Sequence, residues 1–464
     1  MMSETLRLLE VTNSRQQVAM SFSLGAMRFA TSYWYDSVDF YHLRSKFGDC
    51  VIDNVIFHIA AFEINKLCSL RPEFLDWGPF GDYATAEFED LWRTVFIHVW
   101  GQWRYENDDP LYQGPHFAVT HNRPPACVID NKHQTGILSF FGGGKDSLVA
   151  AKLLDSVGAS YSTLVYSSSI YGAPDIQHKI IDRLIGFCSP HIRHRQWVFD
   201  DFLPAPVIRC GDNTMVMTLA SAETPSSIFG ALPYVLQHGY THLCLAHERS
   251  ADTGQLIWQR TGEDINHQWG KSYAAEKIIN AYISKNVVKN IQYFSILKPI
   301  HDVVIFSMLR EHLDAIAYTH SCNIQKPWCK RCPKCVYVWL NYLAYLPKDV
   351  VTSIFNDNLF DVEENLQIIR ELLGLEGHMP FECIGQVDEV KLAFELCRSR
   401  GLHGKAMDLY LADVEKPDFP KIVSRYTAVD LSQSSLPRDL APAIAEKLAA
   451  AARNARDYIE HTLR

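Results

Sequence analysis

Phe140-Phe141-Gly142-Gly143-Gly144-Lys145-Asp146-Ser147 lies between an apolar run, Ile137–Phe141, and a helical pattern opened by Leu148-Val149-Ala150-Ala151. Strand, glycine turn and helix in that order bring bare backbone N–H groups and the positive end of a helix dipole to one point, which makes a cradle for an oxyanion. A phosphate or pyrophosphate suits it. Gly142, Gly143 and Gly144 shape the turn, Lys145 adds a point charge, Ser147 offers a hydroxyl, and Asp146 can serve a magnesium ion. A plainer reading is a tight strand-to-helix turn in which Asp146 and Ser147 cap the first helical turn. Lys-Asp-Ser directly after the glycines favours the phosphate loop, and the glycine spacing is too short for that of nucleoside triphosphatases.

Around this loop, short apolar runs (Ile137–Phe141, Ser162–Tyr166, His242–Ala246, Ile291–Leu297) alternate with helical segments (Lys145–Val157, Asp175–Cys188, Ser226–His238, Ser272–Lys285, Asp302–His312). That alternation predicts an α/β, Rossmann-like parallel sheet covered by helices on both faces, with ligands beyond the carboxyl ends of its strands. Upstream, Leu6–Val11, Val18–Leu24 and Met27–Tyr35 read as antiparallel strands, and Ile52–Leu70 and Ala84–Trp103 as amphipathic helices. Tyr105–Pro125, broken by four prolines, reads as a linker. Further helices are expected at Pro333–Leu346, Leu366–Leu375 and Pro437–Leu463. The expected organisation is an N-terminal α+β domain (1–130) suited by its size to substrate recognition, the loop-bearing core (131–320), a zinc-binding helical extension (321–400) and a helical tail (401–464).

The 464 residues carry a net charge of −9, which argues against nucleic-acid binding through a basic surface and favours a small-molecule substrate. No apolar run is long enough to span a membrane, and the first residues lack a signal-peptide pattern, so a cytoplasmic protein without membrane attachment is expected.

Four of the cysteines cluster as Cys322-x6-Cys329-x2-Cys332-x2-Cys335. Two successive short intervals suit ligands that wrap one tetrahedral ion, and four sulfurs close its shell, so a structural zinc is expected. Buried thiols or a redox pair are the alternative. Cys383 invites a thiol-base reading, but a lone cysteine after Phe381 is more often a core thiol and is read as one, and Trp269 and Trp328 read as packing residues.

Two further segments are rich in chemistry. His247-Glu248-Arg249-Ser250-Ala251 follows an apolar strand and should project at the sheet's carboxyl edge. Gly262-Glu263-Asp264-Ile265-Asn266-His267-Gln268-Trp269-Gly270-Lys271 gathers carboxylate, amide, imidazole and ammonium groups ahead of a helix. Such density suits a site where a carboxylate is held and activated. A solvated loop with a helix cap at Asn266 or Gly270 fits the composition equally well.

The glycine loop resembles the PP-loop of N-type ATP pyrophosphatases, Ser-Gly-Gly-x-Asp-Ser, with Gly142 in the place of the first serine. Together with the cysteine cluster it also resembles 7-cyano-7-deazaguanine synthase. The ordered set Gly-Gly-Gly-Lys-Asp-Ser, Glu-Arg-Ser-Ala, Asn-His-Gln-Trp-x-Lys, Ser321-Cys322-Asn323, Trp328-Cys329, Cys332-Pro333-Lys334-Cys335 and Pro380-Phe381-Glu382-Cys383-Ile384-Gly385 is similar to the ATP-dependent UDP-N-acetylmuramoyl-L-alanyl-L-glutamate epimerase (MurL) family from Gly142 to about Glu389. The resemblance implies ATP and magnesium held by residues 142–147, a UDP-sugar dipeptide substrate, and inversion of its terminal L-Glu through an acyl-adenylate with release of AMP and pyrophosphate. It implies a functional link to the UDP-N-acetylmuramoyl-L-alanine–L-glutamate ligase and a place in peptidoglycan precursor synthesis.

Lys145, Asp146, Glu248, His267 and Lys271 are the catalytic candidates under this reading, with Glu248 for metal and His267 for proton transfer. Arg249 and Asn266 are the substrate-binding candidates, although a buried Glu248–Arg249 pair is the alternative for those two. Two departures mark the chain: a shorter first cysteine interval, and Gln386 where an acidic residue is expected. Another carboxylate-activating PP-loop enzyme, such as a deazaguanine-forming synthase or a specialised peptide epimerase, and a non-catalytic nucleotide-binding regulator or defence component are the competing functions.

Overall fold

The computed structural model describes residues 5–118, 128–130, 136–202, 204–209 and 220–464. Ten strands share one sheet: β1 (Thr5–Asn13), β2 (Gln17–Leu24), β3 (Met27–Tyr35), β4 (Phe74–Asp76), β5 (His116–Phe117), β6 (Ile137–Phe140), β7 (Tyr161–Ser168), β8 (Arg193–Asp200), β9 (His242–Leu245) and β10 (Gln292–Ser295). Their spatial order is β10-β9-β6-β7-β8-β3-β2-β1-β4-β5. The run from β10 to β8 is parallel throughout, as the alternating pattern predicts. Its order reverses between β6 and β9, and in open parallel sheets that reversal opens a crevice beyond the carboxyl ends.

The main helices are α1 (Asp49–Glu63), α2 (Lys145–Ser156), α3 (Glu223–His238), α4 (Tyr273–Asn286), α5 (Asp302–Met308), α6 (Pro333–Tyr345), α7 (Val387–Ser399) and α8 (Ala441–Thr462). Successive residues of the central strands enter opposite cores. Ile137, Cys244 and Phe294 meet α2, α5 and α6 on one face, while Leu138, Leu243 and Tyr293 meet α1, α3 and α4 on the other. Burial on both faces is why these strands read as unbroken apolar runs. No helix among the described residues is long and apolar enough to cross a membrane.

Residues expected to form a domain beside the core instead extend its sheet. β3 pairs antiparallel with β8 from Thr31↔Asp200 to Tyr35↔Gln196, and β2 and β1 follow. Within the expected linker, His116–Phe117 pairs with β4 as the edge strand, and residues 119–127 lie outside the described ones. The seam carries a buried polar cluster. Glu63 accepts from Tyr33 Oη (2.5 Å) and Ser226 Oγ (2.7 Å), and Lys66 Nζ reaches Glu63 Oε2 at 2.6 Å and also pairs with Asp200. Burial opposes the Glu63 charge, but Lys66 outweighs it and holds the carboxyl below its ordinary range.

Removing the ammonium would leave two carboxylates facing each other at this seam. Lys66→Met should therefore lower the free energy of unfolding by about 3 kcal/mol, as for other broken buried pairs, measured by urea denaturation.

Candidate active site

The glycine loop leaves β6 at Phe140 and enters α2 at Lys145. Its first amide, that of Phe141, still donates to Leu164 O of β7 (2.9 Å), so the turn starts from a fixed edge. Gly143 has φ +82°, and a Cβ there would lie 2.6 Å from His320 Cε1 and 2.9 Å from Ile181 Cγ1. This position therefore requires glycine twice over, by backbone conformation and by space. A Cβ on Gly142 would meet nothing within 4 Å, so the serine of the PP-loop pattern fits there without strain.

Asp146 and Ser147 line a cavity of about 320 Å³ in front of the loop. Ser147 Oγ donates to Gly144 O at 2.9 Å. Lys145 does not face that cavity. It is 2% exposed behind the loop, with Nζ 2.5 Å from both Asp146 Oδ1 and Asp302 Oδ1, and Tyr337 donates to the other Asp302 oxygen (2.8 Å). Burial opposes the lysine's charge, but Asp146 and Asp302 more than compensate and hold it protonated. The expected phosphate-facing ammonium is thus a brace that orients Asp146. His320, also 2% exposed, borders the same cavity, and neither of its ring nitrogens has a hydrogen-bond partner among the described residues.

Glu248 and Lys271 both reach this cavity, from turns that one buried ammonium ties together. Lys298 Nζ donates to Glu248 O (2.7 Å), Lys271 O (2.9 Å) and Asp252 Oδ1 (2.9 Å). Arg249, expected to hold a substrate carboxylate, turns away and pairs with Asp430 at 2.6 Å. Its partner is a C-terminal loop residue and not Glu248. Asn266 is likewise occupied: Nδ2 donates to Ala251 O (2.9 Å) and Oδ1 accepts from Gln268 N (2.7 Å), so the side chain pins one turn to the other. The cap of α4 is Ser272, which accepts from Ala275 N, and neither Asn266 nor Gly270 fills that role.

A second cavity of about 290 Å³ continues from the first toward the N-terminal half, bordered by Lys66, Gln102 and His267. Lys271 and Cys383 border both. His267 is fixed by Gln102 Oε1, 2.6 Å from Nδ1. The ring is exposed at the cavity wall; desolvation there opposes its charge, but neighbouring Cys383 raises its pKa. Cys383, read as a core thiol from sequence, is therefore a cavity residue. Lys298, Asp302 and His320 escaped sequence reading altogether. The position of Asp302 at a helix start just beyond a strand was the one signal that pointed to it.

The four thiols of the cysteine cluster lie within 4.8 Å of one another. Cys322–Cys332 and Cys329–Cys335 sulfurs are 3.9 and 3.8 Å apart. Sulfurs about 2.3 Å from a central ion form a tetrahedron with edges of about 3.8 Å, so the group has the dimensions of a zinc site. The amides of Ile324 and Gln325 point at Cys322 Sγ (3.4 and 3.3 Å), ready to stabilise a thiolate.

A UDP-N-acetyl-alpha-D-muramoyl-L-alanyl-L-glutamate epimerase of Salinispora tropica is 33% identical over 331 residues, covering 68% of this chain and 67% of its own length. The chain belongs to the MurL epimerase family. Proteins of the same name from Micromonospora sp. and Xanthomonas oryzae pv. oryzae are 29% and 27% identical, each match covering 68% of both chains. The MurL N-terminal domain model matches residues 226–296 and the MurL C-terminal domain model residues 316–412. Gln386, a departure from the MurL pattern, caps α7 in a reciprocal box with Glu389, and its Nε2 donates to Ser250 O (3.0 Å). An ionised acid could accept the capping bond but could not donate that second one.

Gly142→Ser should leave unfolding free energy within about 0.5 kcal/mol of the parent, as for an open surface position. Gly143→Ala should cost at least about 1–2 kcal/mol from its left-handed backbone alone, and urea titration of the two variants side by side measures the contrast.

Proposed function

We propose that the protein inverts the terminal L-Glu of UDP-N-acetylmuramoyl-L-alanyl-L-glutamate to D-Glu, using ATP and magnesium and passing through an acyl-adenylate, with AMP and pyrophosphate released. The substrate is taken from the activity in the relatives' names. The observation that carries the chemistry is the meeting of two cavities at Lys271, one in front of a phosphate-type loop and one reaching the N-terminal half.

An α-proton next to a free carboxylate is hard to remove because the product is a poorly stabilised dianion. Adenylation turns that carboxylate into an ester-like group whose enolate is accessible. In this reading the nucleotide's phosphates lie on the loop amides and the start of α2, and Asp146 with Glu248 would hold magnesium, which neutralises phosphate charge. Lys271, whose pKa is raised because Cys383 and Glu248 outweigh its burial, stays cationic between the cavities, where it meets the reacting carboxylate. That assigns to Lys271 the role first expected of Arg249. The UDP-sugar end would occupy the second cavity, where the N-terminal half supplies Lys66, Val99 and Gln102. A UDP-N-acetylmuramoyl-L-alanine–L-glutamate ligase would supply the substrate.

We assign one structural zinc to Cys322, Cys329, Cys332 and Cys335. Elemental analysis should find one zinc per chain and none in Cys332→Ser, whose melting temperature should also fall. An intact metal content in that variant would contradict the assignment.

The central test is incubation with the muramoyl dipeptide, ATP and magnesium in deuterated water. Substrate-dependent AMP together with deuterated D-Glu is the expected result. AMP without deuterium would keep carboxylate activation and reject inversion, and absence of AMP would reject both.

A further inference from the structure

Cys383 sits where the two cavities join, held more firmly than a loop residue needs to be. Its amide donates to Glu382 Oε2 (3.0 Å), which Asn323 also approaches (3.3 Å), and its carbonyl accepts from Lys334 Nζ. The backbone is thus clamped on both sides of the thiol. Ligand atoms of His267, Glu382 and Cys383 lie within 4.8 Å of one another, and Gln102 fixes the imidazole through Nδ1, leaving its other nitrogen for the sulfur. Facing the sulfur are His267 and Lys271 from the turn before α4, Lys334 from α6, Tyr171 beyond β7, and the neighbouring Glu382. Three of these five are cations or become so on protonation.

Burial alone would suppress ionisation of the thiol, but Lys271, the neighbouring His267 and Lys334 outweigh it and bring its pKa down to about 7. A base is most effective when its pKa lies near the working pH. Among the described residues the ring nitrogens of buried His320 on the same cavity have no partner, which leaves them available to a polar ligand.

We propose that Cys383 is the base that takes the α-proton of the activated terminal residue on one face, with its thiolate held by Lys271 and His267. The inference rests on the epimerase reading above. The S–H bond forms as the Cα–H bond breaks, and the Cα–H electron pair delocalises into the activated carbonyl as an enolate. A solvent-derived proton adds to the opposite face of Cα, and the proton on sulfur returns to solvent through His267, restoring the thiolate.

Two partial reactions separate this role from the others. In Cys383→Ala and Cys383→Ser, substrate-dependent pyrophosphate–ATP exchange should persist within about threefold, while inversion and α-deuterium incorporation should fall by about 10²–10⁴-fold, the usual contribution of a positioned base. Inversion near the parent rate would overturn the proposal, and so would exchange and inversion falling together, which would mean that Cys383 shapes the binding site. A covalent acyl adduct on Cys383 in acid-quenched turnover would overturn it in favour of a nucleophile. A second zinc lost in Cys383→Ala would overturn it in favour of a metal ligand.

Failure of the epimerase reading itself would appear differently, as parent protein that supports no exchange with the muramoyl dipeptide. The thiolate is then still read in the intact protein, by peptide mapping of iodoacetamide labelling at Cys383 against pH. A midpoint near 7 that rises in Lys271→Met is expected. A midpoint at the ordinary thiol value of about 8.5 would overturn the proposed thiolate.

Discussion

The Lys298 ammonium has no solvent exposure, and the candidate site is organised around where its three hydrogen bonds go. A charge taken out of water costs several kcal/mol unless it is paired and fully hydrogen-bonded, so the groups that satisfy it are not free to drift. Those groups belong to the turn after β9 and the turn before α4, while Lys298 itself follows β10. Both ends of the β9–α4 connection and the segment after β10 therefore converge on one nitrogen. Glu248 and Lys271 inherit their positions from that convergence, and the Asn266 link to Ala251 repeats it one layer outward.

The cysteine cluster connects to the glycine loop along two routes. Cys322 closes the segment His320-Ser321-Cys322, whose first two residues press on Gly143 and Gly144. Cys332 caps α6, and Tyr337 on that helix donates to Asp302, which in turn holds Lys145. An ion holding the four sulfurs would thus stiffen the glycine loop from behind without touching anything bound in front of it.

What the sequence disclosed and what it hid follow from where each side chain points. Central strands with apolar residues on both faces, such as β6 and β9, were legible as short hydrophobic runs. β8 was not, because its inward positions are His194, Gln196 and Val198. The first two are satisfied by Ser37, Tyr240 and Gly230 O instead of by apolar contact, so no alternation of hydropathy marks the strand. The strand-turn-helix path of the glycine loop and the gathering of the four cysteines were legible because short local spacing sets both. Lys145, Arg249 and Asn266 were found but misdirected, since composition shows that a charged or amide group is present and not which neighbour it will meet. Cys383 was noticed as a thiol but set aside as core for the same reason: its cationic neighbours come from chain segments about 50 to 120 positions away, as with Lys334 and Lys271.

The antiparallel pairing of β3 with β8 has a mechanical consequence. Five registered residue pairs make the N-terminal strands and the loop-bearing strands a single hydrogen-bonded plate, with the Glu63–Lys66–Asp200 cluster riveted across the seam. Two lobes that share a sheet cannot swing apart about a hinge without tearing that ladder. A long nucleotide-sugar peptide would have to thread into a cleft of fixed width, and the N-terminal half would act on it as a ruler, setting how far from the glycine loop the end of the chain comes to rest.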